Sequence, residues 1–155
     1  MGSEKIEVRP AREADAGAIA ALLAAGSLTP GAEDPGSPDR YAAALVRVRA
    51  SGGEVLVAQA DGQVVGVCEV LILEHIQHGG ARAAELESVH VDATRRSQGV
   101  GAALVAASVQ FAQTQGCYRI QLTSNLARHD AHRFYEANGF SATHVGFKRA
   151  LDAPR

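Results

Sequence analysis

Two stretches carry residue types and spacings that could do chemistry. The first is Arg95-Arg96-Ser97-Gln98-Gly99-Val100-Gly101, two cations followed by two closely spaced glycines. Glycines let a chain bend and let a ligand approach backbone. A helix starting there would leave its first N–H groups without acceptors and turn the positive end of its dipole outward, so phosphate is the natural guest. The loop is not a P-loop, because no Lys-Ser or Lys-Thr follows the second glycine. It also lacks the third glycine of a dinucleotide fingerprint. The second stretch is Glu85-Leu86-Glu87-Ser88-Val89-His90-Val91, with carboxylates that could take a proton.

The elements around these residues must place them. Leu104, Ala107 and Phe111, widened by Val105, Val109 and Ala112, form a helical apolar stripe after the glycines, and Gly116 suits its end. Before the loop, Leu86 has one parity and Val89 and Val91 the other. Keeping one apolar face then requires an extra residue near Glu87 and Ser88, a β-bulge, which would free a backbone N–H. A strand buried on both faces would need no such device. From Cys117 to Thr123, apolar Tyr118, Ile120 and Leu122 alternate with polar residues. Strand, helix and strand of this length predict a parallel βαβ unit, with ligands beyond the carboxyl ends of the strands.

Arg96-Ser97-Gln98-Gly99-Val100-Gly101 resembles the R/Q-x-x-G-x-G/A loop of the GNAT N-acetyltransferase superfamily. Ala131-His132-Arg133-Phe134-Tyr135-Glu136-Ala137-Asn138-Gly139-Phe140 is similar to that family's last helix. Ser97 stands where many members carry glycine. The resemblance implies a mixed α/β GNAT fold: a mostly antiparallel twisted sheet of about six to seven strands, a parallel β4-α3-β5 unit and helices on both faces. It implies one N-acetyltransferase domain over residues 1–155, with acetyl-CoA as cosubstrate. Arg96, Ser97, Gln98, Gly99, Val100, Gly101 and Ala102 would hold the pyrophosphate, with Arg95 or Arg96 as counter-charge. Val89, His90 and Val91 would pair with the pantetheine arm, and Asn125 would assist; a plain turn is Asn125's other reading. Tyr135 would protonate the leaving thiolate, and the bulge amide near Ser88 or Val89 would meet the acetyl oxygen. The base is expected to be Glu87, working through a water, with Glu85 and His78 as substitutes.

Composition bounds the rest. The chain has 155 residues, 46% hydrophobic and 21% charged, as in an ordinary soluble domain. A net charge of −2 argues against binding nucleic acid through bulk charge. Cys68 and Cys117 sit in strand-like surroundings and read as buried free thiols. No apolar run reaches membrane-spanning length, and the charged start Met1-Gly2-Ser3-Glu4-Lys5 lacks a signal-peptide core, so a cytoplasmic enzyme without a membrane partner is expected. His75 and His78 lack a third ligand at convincing spacing, so no metal is expected. Strands are predicted at Lys5–Arg9, Glu54–Ala60, Gln63–Leu73 and, last, Ser141–Leu151. Helices are predicted at Glu13–Ala25 and from Pro38, where Tyr41, Leu45 and Val48 face inward.

The acceptor is less constrained. The stretch from Leu122 to Tyr135 and the segment from Ser141 to Leu151 resemble aminoalkylphosphonate N-acetyltransferases, a subfamily that acetylates small aminophosphonates and can use a divalent metal. Arg82 or Arg128 would suit an anionic acceptor. Glu33 and Asp34, in the acidic loop Ser27–Asp39, would suit a polyamine or aminoglycoside. His78 is a further candidate for the acceptor site. The expected reaction is direct attack by a small primary amine on acetyl-CoA in a ternary complex. The alternatives are a non-catalytic acyl-CoA-binding regulator and a protein lysine or N-terminal acetyltransferase. The resemblance also allows a homodimer.

Overall fold

The computed structural model describes residues 5–152. Met1 to Glu4, most of the charged start, lie outside them. The chain divides between Leu122 and Thr123 into two compact units.

The first unit is built on one sheet whose spatial order follows the chain: β1 (Glu7–Pro10), β2 (Glu54–Ala60), β3 (Gln63–Leu73), β4 (Ala83–Val91) and β5 (Ile120–Gln121). All neighbours are antiparallel except β4 and β5. The β2–β3 hairpin turns at Asp61 and Gly62, both with positive φ, as a two-residue turn demands. One face is covered by α1 (Ala16–Gly26) and α2 (Pro38–Ala50): Ile19, Leu22 and Leu45 pack with Val55, Val57 and Val67. The other face meets α3 (Val100–Thr114). A Cβ built on Gly66 of β3 would lie 2.8 Å from Val100 Cγ1 and 3.0 Å from Leu104 Cδ1, so glycine is what allows helix and sheet to close. Under α3, the Cys68 thiol reaches Ser108 Oγ at 3.3 Å, and Ser108 donates to Leu104 O at 2.8 Å.

Asp15 closes a short 3-10 turn (Glu13–Asp15) and is buried. Its carboxylate accepts from Arg9 at 2.7 and 3.0 Å and from the Arg12 N–H at 2.6 Å. The Arg9 hydrogen bond, opposed by burial and helped by the Arg12 amide, holds its pKa below the ordinary carboxylate value.

The expected bulge is present. Register runs Val70↔Leu86 and Glu69↔Glu87, then jumps to Val67↔His90 and Gly66↔Val91. Ser88 and Val89 together face Cys68, and Ser88 has φ +55°. Leu86 and Val91 therefore share a face, as the apolar pattern required.

Three expectations need correction. Among the described residues the sheet has five strands, not six to seven. The segment Cys117–Thr123 contributes only Ile120–Gln121, because pairing with β4 stops at Glu85↔Gln121 while the bulged β4 runs on to Val91. Ser141–Leu151 has the alternation of a strand but carries no strand among the described residues. Alternation marks a segment that can pair; pairing needs an edge.

The second unit holds α4 (His129–Ala137), preceded by a turn in which Asn125 Oδ1 accepts from Ala127 N at 2.9 Å. Arg128 N and His132 Nε2 both meet Asn125 O, at 3.0 and 2.9 Å. Asn138 ends the helix, and Gly139 follows with φ +92°.

Candidate coenzyme site on the β4–α3 turn

The turn after β4 is shaped by its own side chains. Asp92 Oδ1 accepts from Thr94 N at 2.8 Å and Thr94 Oγ1 at 2.6 Å, closing a 3-10 turn (Ala93–Arg95). These bonds hold the exposed Asp92 carboxyl below its ordinary pKa. Gln98 Nε2 donates to Thr94 O at 3.2 Å. Ser97 and Gly99 then take positive φ, +61° and +86°. Gly99 is the N-cap of α3 and supplies no side-chain cap. The first helical bond runs from Ala103 N to Gly99 O at 3.0 Å. Helix geometry thus leaves the N–H groups of Val100, Gly101 and Ala102 without intrahelical acceptors. A Cβ at Gly99 would meet nothing within 4 Å, so glycine is there for its backbone conformation and not to avoid a clash. Those N–H groups are a fit for a phosphate group.

Two cations flank the turn unequally. Arg95 is half-buried and reaches Asp61 at 3.4 Å; Arg96 is exposed. Of the two, Arg96 is the better placed to meet a mobile anion.

Pairing with β5 is confined to Ala84 and Glu85, and β4 itself runs on from Leu86 to Val91. Val89, His90 and Val91 lie on this stretch, on the approach to the glycine turn. The bulge puts His90 on the face of Glu87, where it packs against Gly26 at the end of α1; a Cβ on Gly26 would collide with the imidazole. Glu85 is held by Gln121 Nε2 at 2.9 Å.

A carboxylate that the sequence reading passed over stands beside these. Glu69 of β3 pairs directly opposite Glu87. Burial pushes its carboxyl pKa up, against a smaller downward pull from the Ser88 hydroxyl, which lies 3.5 Å away. Its only signal in the sequence was a charge inside an apolar strand.

The acceptor candidates are scattered. Glu33 lies by a cavity of about 400 Å³ lined in part by Asp34, Arg40, Tyr41 and Arg47. Tyr41 Oη donates to Glu33 Oε2 and accepts from Asp34 N, both at 2.7 Å. His78 and Arg82 sit at the opposite end of β4 from the glycine turn. His78 stacks at 4.5 Å on Tyr118, just before β5, and Arg82 pairs with Glu74 at 2.7 Å. Nearby, both ring nitrogens of His75 are shut off from solvent without a hydrogen-bond partner among the described residues. Tyr135 and Asn125 belong to the second unit. Tyr135 makes edge contacts with Phe134 at 5.2 Å and Phe140 at 5.8 Å, and Asn125 organises the turn before α4.

Comparison with known proteins places this arrangement. Residues 22–140 match the acetyltransferase (GNAT) family. An aminoalkylphosphonate N-acetyltransferase of Salmonella typhimurium is 32% identical over 61% of this chain and 61% of its own length. The chain thus spans about three fifths of that relative. An aminoglycoside N(6')-acetyltransferase type 1 of Stenotrophomonas maltophilia is 33% identical over 94% of both chains. The crystal structure of a transcriptional regulator from Bacillus halodurans C-125 superposes with a TM-score of 0.87 at 31% identity, covering 95% of this chain and 100% of that one. With a family match over most of its length and an uncapped, glycine-led helix where that family's loop falls, this chain belongs to the acetyltransferase (GNAT) family.

Proposed function

We propose that the protein is an acetyl-CoA-dependent N-acetyltransferase acting on the primary amine of a small molecule. One observation carries the reading: the N-terminus of α3, entered through Gly99 with no side-chain cap, follows directly on the bulged end of β4. The turn would hold the pyrophosphate through the amides of Val100, Gly101 and Ala102, with Arg96 as counter-charge. The edge from Val89 to Val91 would take the pantetheine arm as an added strand. The thioester supplies an acyl group with a good leaving thiolate.

The bulge supports the chemical step. A two-for-one bulge at Ser88 and Val89 turns a backbone N–H out of the ladder, and a fixed donor toward a developing oxyanion is worth roughly 3–4 kcal/mol. Tyr135 is proposed as the acid that protonates the thiolate. Relatives named for aminoalkylphosphonate and aminoglycoside acetylation support a small-molecule amine as the acceptor. Glu33 is the acceptor-site candidate beside a cavity; His78 and Arg82, at the far end of β4, would serve only an acceptor that extends that way.

Calorimetry with CoA, followed by a screen of amines for thiol release from acetyl-CoA, tests the proposal. CoA binding together with release by at least one amine is expected. Absence of CoA binding overturns it. The designation of the Bacillus halodurans relative favours a second reading, an acyl-CoA-responsive regulator without turnover. Tight CoA binding with no release by any amine would select that reading.

A further inference from the structure

The face of the sheet under α1 and α2 brings two carboxylates together from adjacent strands. Glu69 and Glu87 are direct partners in the β3–β4 ladder. Directly opposite residues project to the same side, with Cβ atoms about 4.5–5.5 Å apart. On its other flank Glu69 pairs with Val55 of β2. The helix α1 brings no titratable side chain between Ala16 and Gly26. The titratable groups on this face of β4 are Glu85, Glu87 and His90, and the Ser88 hydroxyl is the uncharged polar neighbour. Two carboxylates at this separation do not both ionise cheaply, so the less solvated one keeps the firmer hold on a proton. Burial favours the neutral form of Glu69.

We infer that Glu69, set against Glu87 across the bulge, is the group that takes the proton the amine nucleophile must lose. The inference rests on the acetyl-transfer reading above. The ammonium gives one proton to the Glu69 carboxylate, leaving a neutral amine and a carboxylic acid. The nitrogen lone pair forms the bond to the acetyl carbon, and the carbon–sulfur bond breaks with its electron pair on sulfur. The second nitrogen proton ends on that thiolate, and Glu69 returns its proton to water. A carboxylate with a raised proton affinity is a stronger base, and one seated beside a bulge amide lies next to where the carbonyl would be held.

The test uses the full chain and three probe amines: 2-aminoethylphosphonate, glucosamine 6-phosphate and kanamycin. Thiol release gives kcat/KM against pH, and calorimetry gives CoA affinity. Wild type is expected to lose activity on the acid side in one step. Glu69→Gln is expected to remove that step and lower kcat about 100-fold, with CoA affinity within about twofold. Glu87→Gln shifts the step to lower pH, because a neighbouring negative charge is gone. Ser88→Ala shifts it to higher pH, because the hydroxyl that favours the carboxylate is gone. An unchanged acid step in Glu69→Gln overturns the inference. If Glu69→Gln does not fold, the shifts in the other two variants decide, and no shift in either overturns it. If CoA binds but no probe reacts, carbon NMR of the Glu69 carboxyl decides. A midpoint that does not fall in Glu87→Gln overturns the inference. Failure to bind CoA at all overturns the acetyl-transfer reading instead.

Discussion

The turn entering α3 and the loop entering α2 both lead into long helices of the first unit, and both gather charged residues. They handle charge in opposite ways. Between α1 and α2, the charged groups are spent on each other. Tyr41 bridges Glu33 and the Asp34 amide, Ser37 Oγ donates to Asp34 Oδ2 at 2.7 Å, and Arg40 lies 3.8 Å from the same carboxylate. Ser37, at the N-cap of α2, turns its hydroxyl to Asp34 and not to the helix. Before α3, the side chains close only the first half of the turn, and the helix end itself carries no cap. A loop sutured by its own side chains holds a shape; a turn that leaves donors bare can hold a guest.

Four substitutions probe that contrast. Gly99→Val forces a β-branched residue to φ near +86°, a strain of about 1–3 kcal/mol, and should weaken CoA binding by about tenfold to a hundredfold in calorimetry. Unchanged affinity would mean that the turn is not the grip. Arg96→Ala should cost about fivefold in CoA affinity at low salt and progressively less as salt rises. Tyr41→Phe should leave CoA affinity unchanged and lower stability to urea by about 1 kcal/mol. Burial, with a smaller contribution from the acidic bond partner, raises the Tyr41 pKa, so the folded state favours the neutral phenol. That contribution is full below the unfolded pKa near 10 and disappears as pH rises through the folded value; Tyr41→Phe should lose this alkaline sensitivity. If Tyr41→Phe weakened CoA as much as Arg96→Ala, the contrast would collapse. Ser97→Gly should be the mildest, stabilising by up to about 1 kcal/mol by relieving positive φ at +61°, visible as a small rise in Tm.

The site was legible where chemistry is local. Gly99 and Gly101 announce their turn because few other reasons place glycines at a helix start. The mismatch of Leu86 with Val89 and Val91 announced the bulge because burial enforces parity. Glu69 was not legible: inside Val67-Cys68-Glu69-Val70 it reads as an interruption, and its partner follows only from a register that the bulge itself sets. His78 and Arg82 were drawn to the site by their chemistry, although nothing local says at which end of β4 they fall. Ser108 is buried at the middle of the α3 stripe, where its hydroxyl is satisfied by the preceding turn, a bond that composition does not reveal. The strands at Cys117–Thr123 and Ser141–Leu151 were overread for one reason, since alternation encodes a willingness to pair and not the neighbour. Tyr41 was read as an inner stripe residue; its ring is half-buried, and its hydroxyl is what orders the acidic loop.

The extra residue at Ser88 also sets what this chain can tolerate in length. Deleting one residue between Glu87 and His90 would straighten the ladder yet leave His90 opposite Val67 and Val91 opposite Gly66, so the packing on both sides would survive and only the out-of-ladder residue would be lost. A chain shortened by one residue at this point should therefore still fold, with a Tm close to that of the full chain, while any reaction that leans on the bulge amide fades.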